Sequence, residues 1–153
     1  LNLWILAIIF HFDFVKRLKI DNSAKLDKWN AVKKSIDTQK IIKKAQNKRI
    51  FWVCIGQNIG SEVFGKSGIF TRPVLVVKAF PNHTFLGVPL SSKAQNKKGK
   101  FYHKFIDSKG KMQVALLGQI RIFDTKRIET YIGKIDDENF KQIKEKIKNH
   151  IVE

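Results

Sequence analysis

With 153 residues, 43% of them hydrophobic and 11% aromatic, the chain is large enough to bury one core, which excludes disorder throughout. Its formal charge of +17 is spread over both halves, with 12 basic against 4 acidic residues up to Arg49 and 18 against 9 after it. Such a field favours a polyanion, and nucleic acid is the commonest soluble one.

The chain opens on LNLWILAIIFHFDF. This apolar run is shorter than the ~20 residues a helix needs to cross a bilayer. No basic stretch precedes it and no small-residue cleavage site follows. No stable membrane insertion is expected, and a cytoplasmic location is. The run fits an upstream translated stretch, a packing strand or a weak interfacial anchor. From Ser23 to about Gln46 there is neither Pro nor Gly, and apolar residues fall at Leu26, Trp29, Val32, Ile36, Ile41 and Ala45. This spacing predicts an amphipathic helix, with Asn22 or Ser23 as its cap. Its other face carries Lys25, Lys28, Lys33, Lys34, Lys40, Lys43 and Lys44. That face is either solvated or an added surface for RNA or a partner. Residues 1–48 therefore read as an N-terminal extension, and 49–153 as the main domain.

After Arg49 the texture changes to short strand-like runs. RIFWVCI comes first, and the loop of residues 56–71 follows. RPVLVVKAF and TFLGVPLSS are joined by the turn PNHT, and a lysine-rich loop comes next. FYHKFID and MQVALL flank a hairpin turn at Ser108-Lys109-Gly110, and QIRIFD completes five or six strands. Short strands at this spacing predict a small barrel or curled sheet. A final helix is expected with Asp136 or Asp137 as cap and Phe140, Ile143, Ile147 and Ile151 on one face.

Cys54, the one cysteine, excludes an internal disulfide and reads as a buried, inert thiol. The four histidines are scattered, so neither a zinc site nor any cofactor is expected. His103 is a possible groove residue. Arg72 stands out more. Pro73 after it biases its backbone to an extended form at the start of a strand. The planar fork of donors on Arg72 suits two phosphate oxygens. A surface arginine that merely begins a strand is the alternative. The next strand ends in Ser91, Ser92 and Lys93. A hairpin through PNHT would bring Ser91 close to Arg72. Gln119 and Arg121 alternate with apolar neighbours and are expected on one sheet face, with Arg121 either a second phosphate contact or a structural partner of Glu62. Asp124 reads as the cap of a turn at Thr125-Lys126-Arg127. Phe64, Phe70 and Tyr102 are either core residues or platforms for splayed bases.

Taken in order, FWVCIG, GSE, RPVLVV, PLSS, LLGQIRIFDTKRI and a terminal helix resemble the MazF/PemK family of toxin endoribonucleases, over Arg49 to Ile151. The resemblance implies an α+β, mainly β, SH3-like barrel with flanking helices, in a homodimer. It implies metal-independent, sequence-selective cleavage of single-stranded RNA, and a cognate antitoxin whose C-terminal segment occupies the RNA groove. The family's catalytic arginine falls on Arg72, and its catalytic threonine on Ser91. The serine and glutamate beside the site fall on Ser61 and Glu62, and the QIR element on Gln119 and Arg121. With Ser92 and Lys93 these form the expected substrate-binding set. The chain departs from the family pattern in having serine for threonine at Ser91, glycine at Gly118, and a longer loop from Glu62 to Arg72. A basic barrel that binds nucleic acid without cutting it, or a degenerate toxin that only binds its antitoxin, is the competing reading.

Overall fold

The strand Thr71–Ala79 (β2) is the most apolar of the chain, and its two faces account for the architecture. Val74 and Val76 face one side with Phe51, Val53, Phe85 and Phe123. Leu75 and Val77 face the other with Leu90, Phe105, Phe140 and Ile143. An unbroken run of four buried residues is what a strand covered on both faces requires. The computed structural model describes residues 22–153, so the opening apolar segment lies outside the described residues.

The other elements, in chain order, are a helix, Ser23–Asp37 (α1), and the strands Arg49–Cys54 (β1), Thr84–Ser91 (β3), Tyr102–Ile106 (β4), Met112–Leu116 (β5), Arg121–Asp124 (β6) and Ile128–Lys134 (β7). The helix Asp137–Ile147 (α2) follows. All strand pairs are antiparallel, in the order β4-β5-β3-β2-β1-β7, with β6 also paired to β3. β3 serves two partners: Thr84–Gly87 pair with β6, and Leu90 and Ser91 pair with β5. The sheet curls until its ends nearly meet. The amide of Ser108, in the β4–β5 turn, donates to the Lys134 carbonyl at 2.9 Å, and the Lys134 amide donates to Ser108 Oγ at 3.0 Å. The barrel nevertheless stays open, because β4 and β7 share no ladder.

Turns and caps follow local chemistry. His83 adopts φ 60° in the β2–β3 turn. Asp107 Oδ1 accepts from the amides of Lys109 and Lys111 in the β4–β5 turn. Asp124 accepts from the Lys126 amide at 2.7 Å, and Asp136 from the Asn139 amide at 2.9 Å. The caps at Asp124 and Asp136 are those expected, and Asp107 adds an Asx-type turn of its own. α2 lays Phe140, Ile143 and Ile147 on the core.

Two expectations change. α1 ends at Asp37 and not near Gln46, and Asn22 makes no side-chain cap bond. The apolar spacing breaks there, since Ile41 is five residues beyond Ile36 and is 75% exposed. Lys126 Nζ donates to the Asp37 carbonyl at 2.8 Å, closing the last turn. In the segment that follows, Lys43 Nζ donates to the carbonyls of Ile128 and Glu129, so it is an anchor and no part of a solvated face. The second change is β7, a strand beyond the predicted set. Its sequence, IETYIGK, mixes Glu, Gly and Lys among β-formers, because it is an edge strand exposed over much of one side.

Candidate functional site

The β2–β3 hairpin sets the centre of the site. Its register pairs Val74 with Pro89, Leu75 with Val88 and Val76 with Gly87. Continued by two residues, that register puts Arg72 opposite Ser91. The side chains of such a pair rise on the same face of the sheet. Arg72 and Ser91 together line two adjoining cavities. The larger, about 530 Å³, is also lined by Ser61, Glu62, Phe64, Lys97, Phe101, Tyr102 and Gln119. The smaller, about 100 Å³, is also lined by Trp52, Lys66, Ser92, Lys93, Lys111 and Gln113.

Arg72 is held by backbone and not by a carboxylate. Nε donates to the Phe64 carbonyl at 2.9 Å, and Nη1 donates to the Leu90 carbonyl at 3.2 Å. A guanidinium has five N–H donors, so three remain for a ligand. Burial lowers the Arg72 pKa from its usual value. A half-buried cation with no acid paired to it among the described residues is electrostatically ready for an anion. Ser91 Oγ accepts from the Lys93 amide at 3.3 Å, which leaves its O–H free to donate.

The loop between β1 and β2 forms the opposite wall. Its base is closed by backbone bonds from the Ile55 and Gly56 amides to the Phe70 carbonyl, and by a Lys66–Thr71 bridge. Gly65 must be glycine there, because a Cβ would sit 1.7 Å from the Phe70 carbonyl oxygen. Gln119 clamps the outer part of the loop. Its Oε1 accepts from the Val63 amide at 3.0 Å, and its Nε2 donates to the Ser61 carbonyl at 3.4 Å. Glu62 turns back on its own loop, with Oε2 accepting from the Ile59 amide at 3.0 Å.

The expected residues are thus partly assembled. Arg72, Ser91, Ser61, Glu62 and Gln119 share the larger cavity, while Ser92 and Lys93 line only the smaller one. Arg121 lines neither. Its guanidinium lies over the Phe123 ring, 5.1 Å from the centroid, and it forms no ion pair with Glu62. Nor do Gln119 and Arg121 share a strand face, because Leu117–Gln119 is a 3₁₀ turn and β6 begins at Arg121. The two apolar neighbours mimic strand alternation across what is a bend. His103 is no groove residue. It is 7% exposed, and its Nε2 meets Asn139 Oδ1 at 2.8 Å, tying β4 to α2. Phe70 is core, with its ring 5.7 Å from Trp29, whereas Phe64 is 43% exposed and lines the larger cavity.

Sequence reasoning passed over several lining residues. Lys97 sits in the lysine-rich loop, where one lysine looks like any other. Phe101 precedes β4 and is 43% exposed at the cavity, which no local pattern distinguishes from a core aromatic. Gln113 is 1% exposed, and its Nε2 donates to Asp107 Oδ2 at 3.0 Å while its Oε1 has no partner. Burial pushes the Asp107 pKa up. Hydrogen bonds from Gln113, Lys111 and Lys109 outweigh that and hold it below the usual carboxylate range.

Comparison with known proteins adds to this geometry. Compared by sequence with curated proteins, the chain matches none. The fold is shared with solved toxin structures. MazF (Form-I) from Deinococcus radiodurans superposes with a TM-score of 0.59 at 17% identity, over 74% of this chain and 100% of that one. An endoribonuclease in complex with its cognate antitoxin, from a mycobacterial species, gives 0.55 at 10% identity, over 71% and 96%. MazE-MazF (Form-II) from Deinococcus radiodurans gives 0.53 at 16% identity, over 73% and 97%. The sequence profile of PemK-like, MazF-like toxins of type II toxin–antitoxin systems matches residues 46–151, which include every wall of both cavities, and the chain belongs to that family.

Proposed function

We propose that this chain is an endoribonuclease that cleaves single-stranded RNA at the Arg72–Ser91 pair, without a metal cofactor. The observation that carries the reading is the hairpin register that sets an unpaired guanidinium and a free hydroxyl at the junction of two cavities. In this reaction the 2′-hydroxyl of the RNA attacks the adjacent phosphorus, and the bond to the 5′-oxygen of the next nucleotide breaks. The 2′-proton is lost, and one is delivered to the leaving oxygen. The products are a 2′,3′-cyclic phosphate and a 5′-hydroxyl. No protein nucleophile is consumed. Charge accumulates on the non-bridging oxygens as the fifth bond forms, and the donors of Arg72 left free by its two backbone contacts stabilise it. A preorganised donor of this kind contributes about 3–4 kcal/mol, and its fixed backbone contacts keep that contribution from being spent on reorganisation. Ser91 donates its proton to a phosphate oxygen or the 2′-oxygen and holds the linkage in line. Phe64, Phe101 and Tyr102 offer faces for unstacked bases.

A cognate antitoxin and a second copy of the chain are the expected partners. Two of the similar solved structures hold an antitoxin, and a chain of +17 suits an acidic segment. The test is cleavage of a mixed RNA pool in excess chelator, with the cut ends mapped. Wild type should leave discrete cyclic-phosphate ends. Arg72→Ala should lose about 10²–10³-fold in rate. Full activity in the variant sinks the assignment. RNA that is bound and retarded but intact favours a non-catalytic basic barrel, the reading that the charge alone supports equally.

A further inference from the structure

We infer that α1, which lies outside the matched family region, adds a flanking subsite for single-stranded RNA, in which Lys25, Lys28 and Lys66 carry the phosphate backbone past Phe64. The inference rests on the reading that RNA is cut at the Arg72 cavity. A cavity of about 300 Å³ lies between α1 and the β1–β2 loop, and Lys25, Lys28, Gln57, Phe64, Lys66 and Ser67 contribute to its wall. It adjoins the site through two shared lining residues. Phe64 lines both this cavity and the larger Arg72 cavity, and Lys66 lines both this one and the smaller. No carboxylate contributes to the wall. The ion pairs among the described residues are Lys48–Asp137 and Lys148–Glu153, so none neutralises these three lysines. Lys25 and Lys28 are three apart on one helix, close enough to repel each other. Three ammonium groups around one concavity, with no ion pair among the described residues, form a site of high positive potential.

The helix that brings two of them is firmly placed. Trp29 is 6% exposed, packs edge-on against Phe70 and lies under the Arg127 guanidinium at 5.5 Å. The lysines therefore belong to a fixed wall. An acidic protein segment would also be attracted by charge. A strand of RNA leaving the Arg72 cavity is favoured because the exposed ring of Phe64, a stacking platform, lines both spaces.

Wild-type protein and Lys25→Gln/Lys28→Gln are titrated with oligonucleotides centred on the mapped cut site and made uncleavable by a 2′-deoxy nucleotide at the scissile position. The oligonucleotides are extended stepwise on either side. Extension on one side should tighten binding to wild type, and the double variant should lose that gain. The slope of log K against log salt should fall by about 0.7 per lysine, so about 1.4 in all, which separates the two proteins by about sevenfold between 50 and 200 mM salt. Lys33→Gln/Lys34→Gln removes the same charge elsewhere on α1. It should keep both the length dependence and most of the slope. Equal behaviour of wild type and the Lys25/Lys28 variant overturns the subsite. So does an equal loss in both double variants, which would be a global charge effect. Unchanged RNA binding with weakened binding of a poly-glutamate peptide would reassign the surface to an acidic protein segment and also overturn it. If wild type neither binds nor cuts the unmodified RNA, it is the nuclease reading itself that fails.

Discussion

Ser91 takes the place of the threonine that the family pattern expects. The hydroxyl is kept, while the methyl that restricts χ1 is lost. Ser91→Thr should therefore retain activity or raise it a few-fold, and Ser91→Ala should lower kcat by about 10–100-fold with little change in thermal stability. Single-turnover cleavage checks both, and an unchanged rate in Ser91→Ala would remove the hydroxyl from the mechanism. Arg72→Lys tests geometry at constant charge. An ammonium cannot reach the Phe64 and Leu90 carbonyls and also present a fork to phosphate. Its rate should fall nearly as far as that of Arg72→Ala. Cys54 belongs to another class. Burial pushes its thiol pKa up to about 12, helped by the hydrogen bond to Glu129 and that residue's charge. A neutral, buried thiol is a poor nucleophile, so Cys54 should react with a thiol reagent at pH 8 only after unfolding. One equivalent reacting in the native protein would contradict this.

At the scale of elements, α1 depends on a small contact. Gly56 has φ +95°, and a Cβ there would sit 2.4 Å from the Trp29 ring. Glycine is required twice over, by backbone and by space. Gly56→Ala should push Trp29 from its seat and free α1, and Trp29→Ala should do the same at a cost of about 3 kcal/mol. Limited proteolysis checks this. Early cuts between residues 22 and 48, with the sheet domain left intact, are expected in both variants, and a wild-type digestion pattern would show that the helix is held elsewhere. α1 was legible up to Ile36 because its apolar residues fall three and four apart. Its end was overrun because Pro and Gly are absent up to Gln46, although the break in apolar spacing after Ile36 marks it, and Lys126, far along the chain, closes the last turn. β7 was illegible for a related reason. An edge strand needs only part of one face apolar, and its pairing with β1 is a long-range fact.

Over the whole molecule, the sheet and α2 are joined partly through His103, a buried imidazole bonded to Asn139. Burial lowers its pKa. The Asn139 bond and Asp136 act the other way, and Lys146 adds to the lowering. The folded state thus takes up a proton less readily than the unfolded chain, in which histidine titrates near about 6.5. This contribution to stability is complete above that pH and is lost as the pH falls below it towards the folded value. The melting temperature should drop between pH 7 and pH 5, and His103→Gln should shrink that drop. An equal drop in both proteins would assign the effect to other groups. Asp107 and Asp136 are held below the usual carboxylate range, so their losses come at lower pH.

By itself the sequence determined the strand and turn grammar, the basic excess and the closeness of Arg72 to Ser91. Alternation, Pro73 and the PNHT turn are local signals, and a hairpin register follows from them. Tertiary structure decided which other residues join the pair. Gln119 became a clamp and Arg121 left the site, because a one-turn bend between them redirects both side chains. His103 went to the core and Phe64 to the surface, though both lie in sequence beside residues of the opposite kind. Side chains are sorted between core and cavity by how the sheet curls, and curl is a sum over strands that no single segment carries.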